Sequence, residues 1–159
     1  MGWGEETALK EGQTAPDVPL TKLDGSVVRL SELAAEGPVL LAFYKDSCPV
    51  CQLTLPFLNR IREGRLKVLA VGQDHPARAE KFAREFGIEF ETLVDPSDRY
   101  EASNAFGITH VPTMFAVDPK MKINWVSSGF VRVDLEGLEE LAGMPVLTAA
   151  DNVPAAKPG

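Results

Sequence analysis

The chain has 159 residues, of which 45% are hydrophobic and 25% charged, and this is typical of one globular domain with a sizeable core. Acidic residues outnumber basic ones by 23 to 16, so the net charge is −7 and nucleic acid is not an expected partner. Apolar runs are shorter than the ~18–20 residues of a membrane span. The start, MGWGEETALKEG, has no signal-peptide pattern. The protein is therefore expected to be cytoplasmic, or extracytoplasmic if a leader has been removed.

The N-terminal third predicts a hairpin, a short helix and a buried strand. Asp24-Gly25 is a hairpin-turn signal, and Pro19 should place the first arm of that hairpin at a sheet edge. A short helix should open at Ser31 and end at Gly37-Pro38. The run Val39–Tyr44, VLLAFY, is continuously apolar, which is typical of a strand buried on both faces.

Helices and strands should alternate through the rest of the chain. A helix is expected from Pro49 to about Arg62, with a kink at Pro56. Asp74 and Asp134 are predicted helix caps. The other predicted elements are the strands LKVLAVG and FETLV, the helices DHPARAEKFAREFG, SDRYEASNAFG (with a capping box of Asp98 and Glu101) and DLEGLEELAG, and the antiparallel hairpin TMFAV-DPKMK-INWVSSG. This alternation predicts a single α/β domain over residues 1–159, with loose ends at 1–12 and 145–159.

The two cysteines, Cys48 and Cys51, could form a metal clip, a structural disulfide or a redox pair. Structural zinc takes four ligands, and His75 and His110 lie far from the cysteines in sequence. A disulfide that closes so short a loop would stabilise weakly. A Cys-x-x-Cys motif directly after a buried strand, and opening a helix, is typical of redox chemistry. We therefore expect a redox pair that needs no metal and no bound cofactor.

The position of the motif predicts different chemistry for the two thiols. Cys48 should lie at the helix N-terminus, where free backbone N–H groups and the helix dipole favour the thiolate and lower its pKa. Cys51 should lie one turn further in, more buried, and remain a thiol. Cys48 would then attack a partner disulfide, and Cys51 would resolve the mixed disulfide.

Three stretches of the sequence resemble a known superfamily. The first, VLLAFYKDSCPVC, resembles the active-site strand and turn of the thioredoxin superfamily. EGQTAPDVPLTKLDGSVVRLSEL resembles the N-terminal extension shared by peroxiredoxins and the TlpA/ResA-like thiol–disulfide oxidoreductases, which are related to the AhpC/TSA redoxins. KFAREFGIEFETLVDPSDRYEASNAFGITHVPTMFAVDPKMKI resembles the TlpA-like insertion, the cis-proline loop and the following hairpin. The resemblance spans about residues 11 to 142.

This resemblance implies an α/β thioredoxin-like fold, with a central mixed β-sheet flanked by helices, an N-terminal β-hairpin extension and a βα insertion. It implies an oxidoreductase that exchanges disulfides with a protein disulfide or dithiol and with an upstream reductant or oxidant. We expect the protein to be a monomer. Cys48 and Cys51 match the nucleophilic and resolving cysteines. The implied partner-binding residues are Pro112, which is cis in the superfamily, Val111, whose backbone faces the substrate, Pro49 of the bracketed Pro-Val pair, and the aromatic Tyr44.

The sequence also departs from the superfamily pattern. Ala42 replaces a buried Asp, Thr54 replaces a Glu, and Ser47 replaces a Trp, so the resemblance identifies no general base. Two rival functions remain. A peroxiredoxin would use Cys51 as its peroxide-reactive thiol, but it needs a Thr where this chain has Cys48. A non-catalytic metal-binding module on the same fold is the other alternative.

Overall fold

The computed structural model describes residues 7–95 and 99–159. In that part of the chain, seven strands form one mixed sheet in the order β2-β1-β5-β4-β3-β6-β7. The strands are β1 (Pro19–Lys22), β2 (Val27–Arg29), β3 (Val39–Tyr44), β4 (Lys67–Gly72), β5 (Glu91–Val94), β6 (Thr113–Val117) and β7 (Ile123–Ser128). A separate pair is formed by β8 (Phe130–Val131) and β9 (Ala156–Lys157).

Helices cover both faces of the sheet. They are α1 (Leu30–Ala35), α2 (Pro49–Thr54), α3 (Pro76–Glu85), α4 (Glu101–Ala105) and α5 (Arg132–Ala142), and a 3₁₀ helix, Leu55–Ile61, continues from α2. The expected kink at Pro56 is this change of helix type, because proline has no N–H to donate. In the described residues no helix is long and apolar enough to cross a membrane.

The burial of the central strand β3 on both faces explains why its sequence is apolar without interruption. Val39, Leu41 and Phe43 belong to one core cluster, with α1, α4 and residues of the N-terminal arm. Leu40, Ala42 and Tyr44 belong to the other, with the 3₁₀ helix, α3 and α5. All six residues are at most 1% exposed, because helices pack on both faces of this strand. The predicted fold class, a thioredoxin-like α/β fold with a mixed central sheet, is confirmed.

The N-terminal hairpin joins the sheet differently from the prediction made from Pro19. The outer strand is β2, and β1 pairs with both β2 and β5. Pro19 is tolerated because it is the first residue of β1 and pairs only with Arg29, whereas β5 pairs with Thr21 and Lys22. The expectation of an edge strand was therefore wrong.

Three predicted caps are also wrong. Arg29 is the N-cap of α1, with Glu32 accepting its backbone N–H, so Ser31 lies inside the helix. Val131 precedes α5, and Asp134 instead accepts a hydrogen bond from Ser127 Oγ at 2.7 Å. His75, not Asp74, precedes α3. The predicted cap Asp98 lies outside the described residues.

The expected loose ends are packed against the domain. Ala8 is 6% exposed, and the neighbouring Leu9 N–H donates to Phe106 O at 3.0 Å. Near the other end, Val146 is fully buried and β9 pairs with β8. Residues 7–12 and 145–159 therefore belong to the folded domain, because their apolar side chains and backbone groups find partners in it. Residues 1–6 of the first predicted loose end lie outside the described part.

Candidate active site

The two cysteines lie where β3 gives way to α2. Cys48 is the N-cap of α2, with extended backbone angles, and Pro49 follows it in the first turn. The Cys51 backbone N–H donates to Cys48 Sγ at 3.1 Å. Cys48 is half-buried and Cys51 is 0% exposed, and both are free thiols. The local sequence favours this turn because proline needs no hydrogen-bond acceptor at the start of a helix.

The surroundings separate the acidities of the two thiols in the predicted directions. A hydrogen bond from the Cys51 side chain, helped by the backbone N–H groups of Cys51 and Val50, lowers the pKa of Cys48 to about 6, against the opposing effect of burial. Burial raises the pKa of Cys51, and the charges of Cys48 and Asp74 add to that effect. Because α2 has only six residues, we attribute the Cys48 shift to these hydrogen bonds rather than to a helix dipole.

The loop before β6 brings the proline of the VPT segment to the cysteine pair. The Val111–Pro112 peptide bond is cis, and Cys48 Sγ lies 3.4 Å from Val111 O, to which the thiol donates. Thr113 Oγ1 holds the loop by donating to His110 O at 2.7 Å. The contact with Val111 O favours the thiol form of Cys48, because only the thiol can donate to that oxygen. The backbone N–H of Cys51 favours the thiolate, so the sulfur lies between a donor and an acceptor.

The predicted partner-binding residues differ in exposure. Val111 is half-buried beside Cys48 and Pro49 is exposed, whereas Pro112 is buried. Tyr44 is different, because it is 1% exposed and its ring packs 4.6 Å from that of Phe82. The expectation that Tyr44 touches a partner is therefore wrong, because core packing holds this side chain away from the surface.

An acidic pair, Asp46 and Asp74, lies close enough to the cysteines for the Asp74 charge to act on Cys51. The Asp46 backbone N–H donates to Asp74 Oδ2 at 2.9 Å, and Arg78 lies 3.5 Å from Asp46 and 3.8 Å from Asp74. The signal was present in the sequence: Asp46 and Asp74 each lie two residues beyond β3 and β4, whose carboxyl ends meet because the two strands are parallel.

A polar pocket of about 160 Å³ flanks the other side of the loop. Its lining residues are Lys45, Gln73, Ile108, Thr109, His110 and Val111. His110 therefore lines this pocket, with Nδ1 within 3.0 Å of Thr109 Oγ1, while His75 lies at the start of α3. Over residues 7–95 and 99–159, no three His, Cys, Asp or Glu side chains are grouped so as to hold a metal ion.

Comparison with known proteins finds a matching family and a related enzyme. Residues 12–126 match the AhpC/TSA family. The thiol-disulfide oxidoreductase ResA of Geobacillus thermodenitrificans (strain NG80-2) is 33% identical over 130 residues, which cover 79% of this chain and 73% of that protein.

Two solved structures are similar over most of this chain. A candidate thiol:disulfide interchange protein DsbE from Chlorobium tepidum has 30% identity and a TM-score of 0.71, and the match covers 84% of this chain and 95% of the other. The peroxidoxin BcpB from Mycobacterium tuberculosis has 26% identity and a TM-score of 0.68, with the same two coverages.

Proposed function

The chain belongs to the AhpC/TSA family, as a TlpA/ResA-like thiol–disulfide oxidoreductase of the thioredoxin superfamily, and from that premise we propose how its two thiols act. The Cys48 thiolate attacks one sulfur of a partner disulfide, forms a mixed disulfide and releases the other sulfur as a thiolate, which takes up a proton. Cys51 then loses its proton, attacks Cys48 Sγ and releases the second partner thiol. Two electrons pass to the partner, and a Cys48–Cys51 disulfide remains.

One observation carries this assignment: the half-buried Cys48 has a lowered pKa beside the fully buried Cys51, whose pKa is raised. An attacking thiol must be both ionised and reachable, and a resolving thiol must be close and protected until the mixed disulfide forms. The short contact of Cys48 with Val111 O places the attacking sulfur beside backbone that a partner polypeptide can use. Both thiols and the loop come from one chain, so the reaction needs no second copy.

The proposed reaction leaves Cys51 neutral until the second step. Its pKa is raised mainly by burial, and Ala42 and Thr54 provide no carboxylate beside it. When Cys48 forms a mixed disulfide, it loses its negative charge. The part of the Cys51 pKa rise that this charge caused is then lost as well. We propose that this loss of charge makes deprotonation of Cys51 easier only when resolution is required.

The peroxidoxin similarity makes thiol peroxidase activity the alternative. A peroxidase on this scaffold would rely on Cys51, but this thiol is fully buried and its pKa is raised. A peroxidase also needs hydrogen-bond donors around the leaving oxygen, and the expected Thr position holds Cys48. These features favour disulfide exchange over peroxide reduction.

The two functions separate in one set of assays. Wild type, Cys48→Ser and Cys51→Ser are each given insulin or hydrogen peroxide, with dithiothreitol as the reductant. We expect wild type to reduce insulin disulfides, Cys48→Ser to lose that activity, and all three proteins to consume peroxide at the rate of an ordinary thiol. Fast peroxide consumption that survives in Cys48→Ser and is lost in Cys51→Ser would show that the protein is a peroxidase.

A further inference from the structure

The last residues of the chain run along the side of the active site. We call residues 151–159 the C-terminal segment. Within it, β9 pairs antiparallel with β8, with Val131 opposite Ala156 and Phe130 opposite Lys157. The Arg132 backbone N–H donates to Ala155 O at 2.9 Å. The C-terminal segment therefore adds a strand to an edge next to the beginning of α5.

That edge is continuous with the loop that contacts Cys48. Gly129 N–H, directly before β8, donates to Pro112 O at 2.8 Å. At the end of the C-terminal segment, Gly159 packs so closely on Val111 that an added Cβ would lie 2.1 Å from Val111 O. The same Val111 oxygen lies 3.4 Å from Cys48 Sγ. The C-terminal segment therefore lies against the backbone carbonyl to which the Cys48 thiol donates.

The hold on this segment is strong at its start and weak at its end. Arg60 binds Asp151 through two hydrogen bonds, at 2.7 and 3.0 Å, and this contact lowers the pKa of Asp151. Arg132 also donates to Val153 O. Beyond these contacts, the segment is held by the Arg132 N–H bond to Ala155 O and by the pairing of Ala156 and Lys157 with β8, and all three of these residues of the segment are exposed. The final residues can therefore lift away while residues 151–153 stay in place.

We propose that the C-terminal segment occupies, along β8 and against Val111, the groove that a partner's cysteine-bearing segment takes up, and that the partner must replace it there. This inference rests on the proposed function. The partner segment is extended, pairs with β8 as β9 does, and has a residue without a bulky side chain against Val111, since the occupant there is glycine. Its disulfide is thereby brought to Cys48 for the exchange described above.

Competition for the groove predicts a difference between large and small substrates. A partner that must pair with β8 binds only the fraction of molecules in which the groove is open, so its apparent affinity falls by that fraction. A small disulfide needs no strand pairing and should not be affected. One to two net backbone hydrogen bonds correspond to a factor of about 5 to 30 in such an equilibrium.

The test uses a variant that lacks residues 154–159 and the point variant Gly159→Ala. Gly137→Ala is the matched control, because its added Cβ meets only Trp125 Nε1, at 3.9 Å. Each protein is assayed with insulin and with hydroxyethyl disulfide, with dithiothreitol as the reductant. We expect the deletion to increase kcat/KM for insulin about 5- to 30-fold, mainly through KM, and Gly159→Ala to change it in the same direction. Hydroxyethyl disulfide rates should change less than about two-fold, and Gly137→Ala should match wild type.

Unchanged or slower insulin reduction in the deletion variant overturns the proposed groove, and so does an equal gain for both substrates. If no protein reduces either disulfide, the proposed function fails, and binding then tests the groove by itself. The peptide DNVPAAKPG is added to the deletion variant, and backbone amide signals are followed by NMR. Shifts centred on Val111 and on residues 129–131 support the groove, while their absence overturns it.

Discussion

Replacing Cys51 by Ala or by Ser tests why Cys48 is acidic. The largest contribution to the lowered pKa of Cys48 is the hydrogen bond from the Cys51 side chain. Cys51→Ala removes this donor and keeps the backbone N–H that lies 3.1 Å from Cys48 Sγ. Cys51→Ser keeps a donor at the same position. The two variants therefore differ mainly in one hydrogen bond to the thiolate.

The expected rise in the pKa of Cys48 follows from the strength of that hydrogen bond. A hydrogen bond to a charged group contributes about 1.5–3 kcal/mol, which is about one to two pKa units. Since Cys48 is only half-buried, water replaces part of the lost interaction, and we expect a rise of about one unit in Cys51→Ala. At pH 5 the thiolate fraction would fall from ~9% to ~1%. The more basic thiolate is about three-fold more nucleophilic, so alkylation at pH 5 should slow about three-fold.

The assay is the rate of iodoacetamide alkylation of each reduced protein across pH 4 to 9, with the modified residue identified by mass spectrometry. The midpoint for Cys48 should lie near pH 6 in wild type, remain close to that value in Cys51→Ser, and rise by about one unit in Cys51→Ala. Equal midpoints in wild type and Cys51→Ala would contradict the explanation and leave the backbone N–H groups as the cause. First labelling at Cys51 in wild type would contradict the assignment of the two thiols.

Three further predictions concern stability and the acidity of Cys51. Because the pKa of Cys48 is about 6 in the folded protein and 9.0 without its surroundings, its contribution to stability is complete above pH 9 and is lost as pH falls to 6. Reduced wild type should therefore gain about 1–2 kcal/mol between pH 6 and 8 in chemical denaturation, and Cys48→Ser should not. Phe106→Ala should lower the free energy of unfolding by about 3–5 kcal/mol, because it removes a fully buried ring. This ring lies 4.8 Å from that of Phe115 and 5.4 Å from that of Phe43. A loss of less than about 1 kcal/mol would contradict this packing. Asp74→Asn should lower the pKa of Cys51, because the Asp74 charge helps to raise it; the pH dependence of mixed-disulfide resolution measures this, and an unchanged midpoint argues against that electrostatic contribution.

The elements that position the cysteines could be predicted because their signals are local. The run Val39–Tyr44 is apolar because both faces of β3 are covered, and Cys48-Pro49 starts a helix because proline needs no acceptor there. The directions of the two thiol pKa values followed from that geometry. The resemblance also predicted the cis bond before Pro112 and the position of Val111 beside Cys48.

The features that could not be predicted depend on contacts distant in sequence. Pro19 lies in a strand with neighbours on both sides, because Thr21 and Lys22 of that strand pair with β5. The two strands are more than 70 residues apart in the chain. Asp134 hydrogen-bonds to Ser127 instead of capping a helix. The packing of the C-terminal segment requires Arg60 to meet Asp151 across 91 residues. The sequence NVPAAKPG itself contains no pattern that predicts this contact.

The central claim is that Cys48 carries the partner and Cys51 releases it, and capture of the mixed disulfide tests this most directly. Reduced Cys51→Ser and Cys48→Ser are each given insulin with intact disulfides, the reaction is stopped by acid, and covalent adducts are mapped by mass spectrometry. We predict that Cys51→Ser accumulates an insulin adduct joined through Cys48 and reversed by dithiothreitol, and that Cys48→Ser forms none. An adduct through Cys51 in Cys48→Ser, with none in Cys51→Ser, would contradict the account.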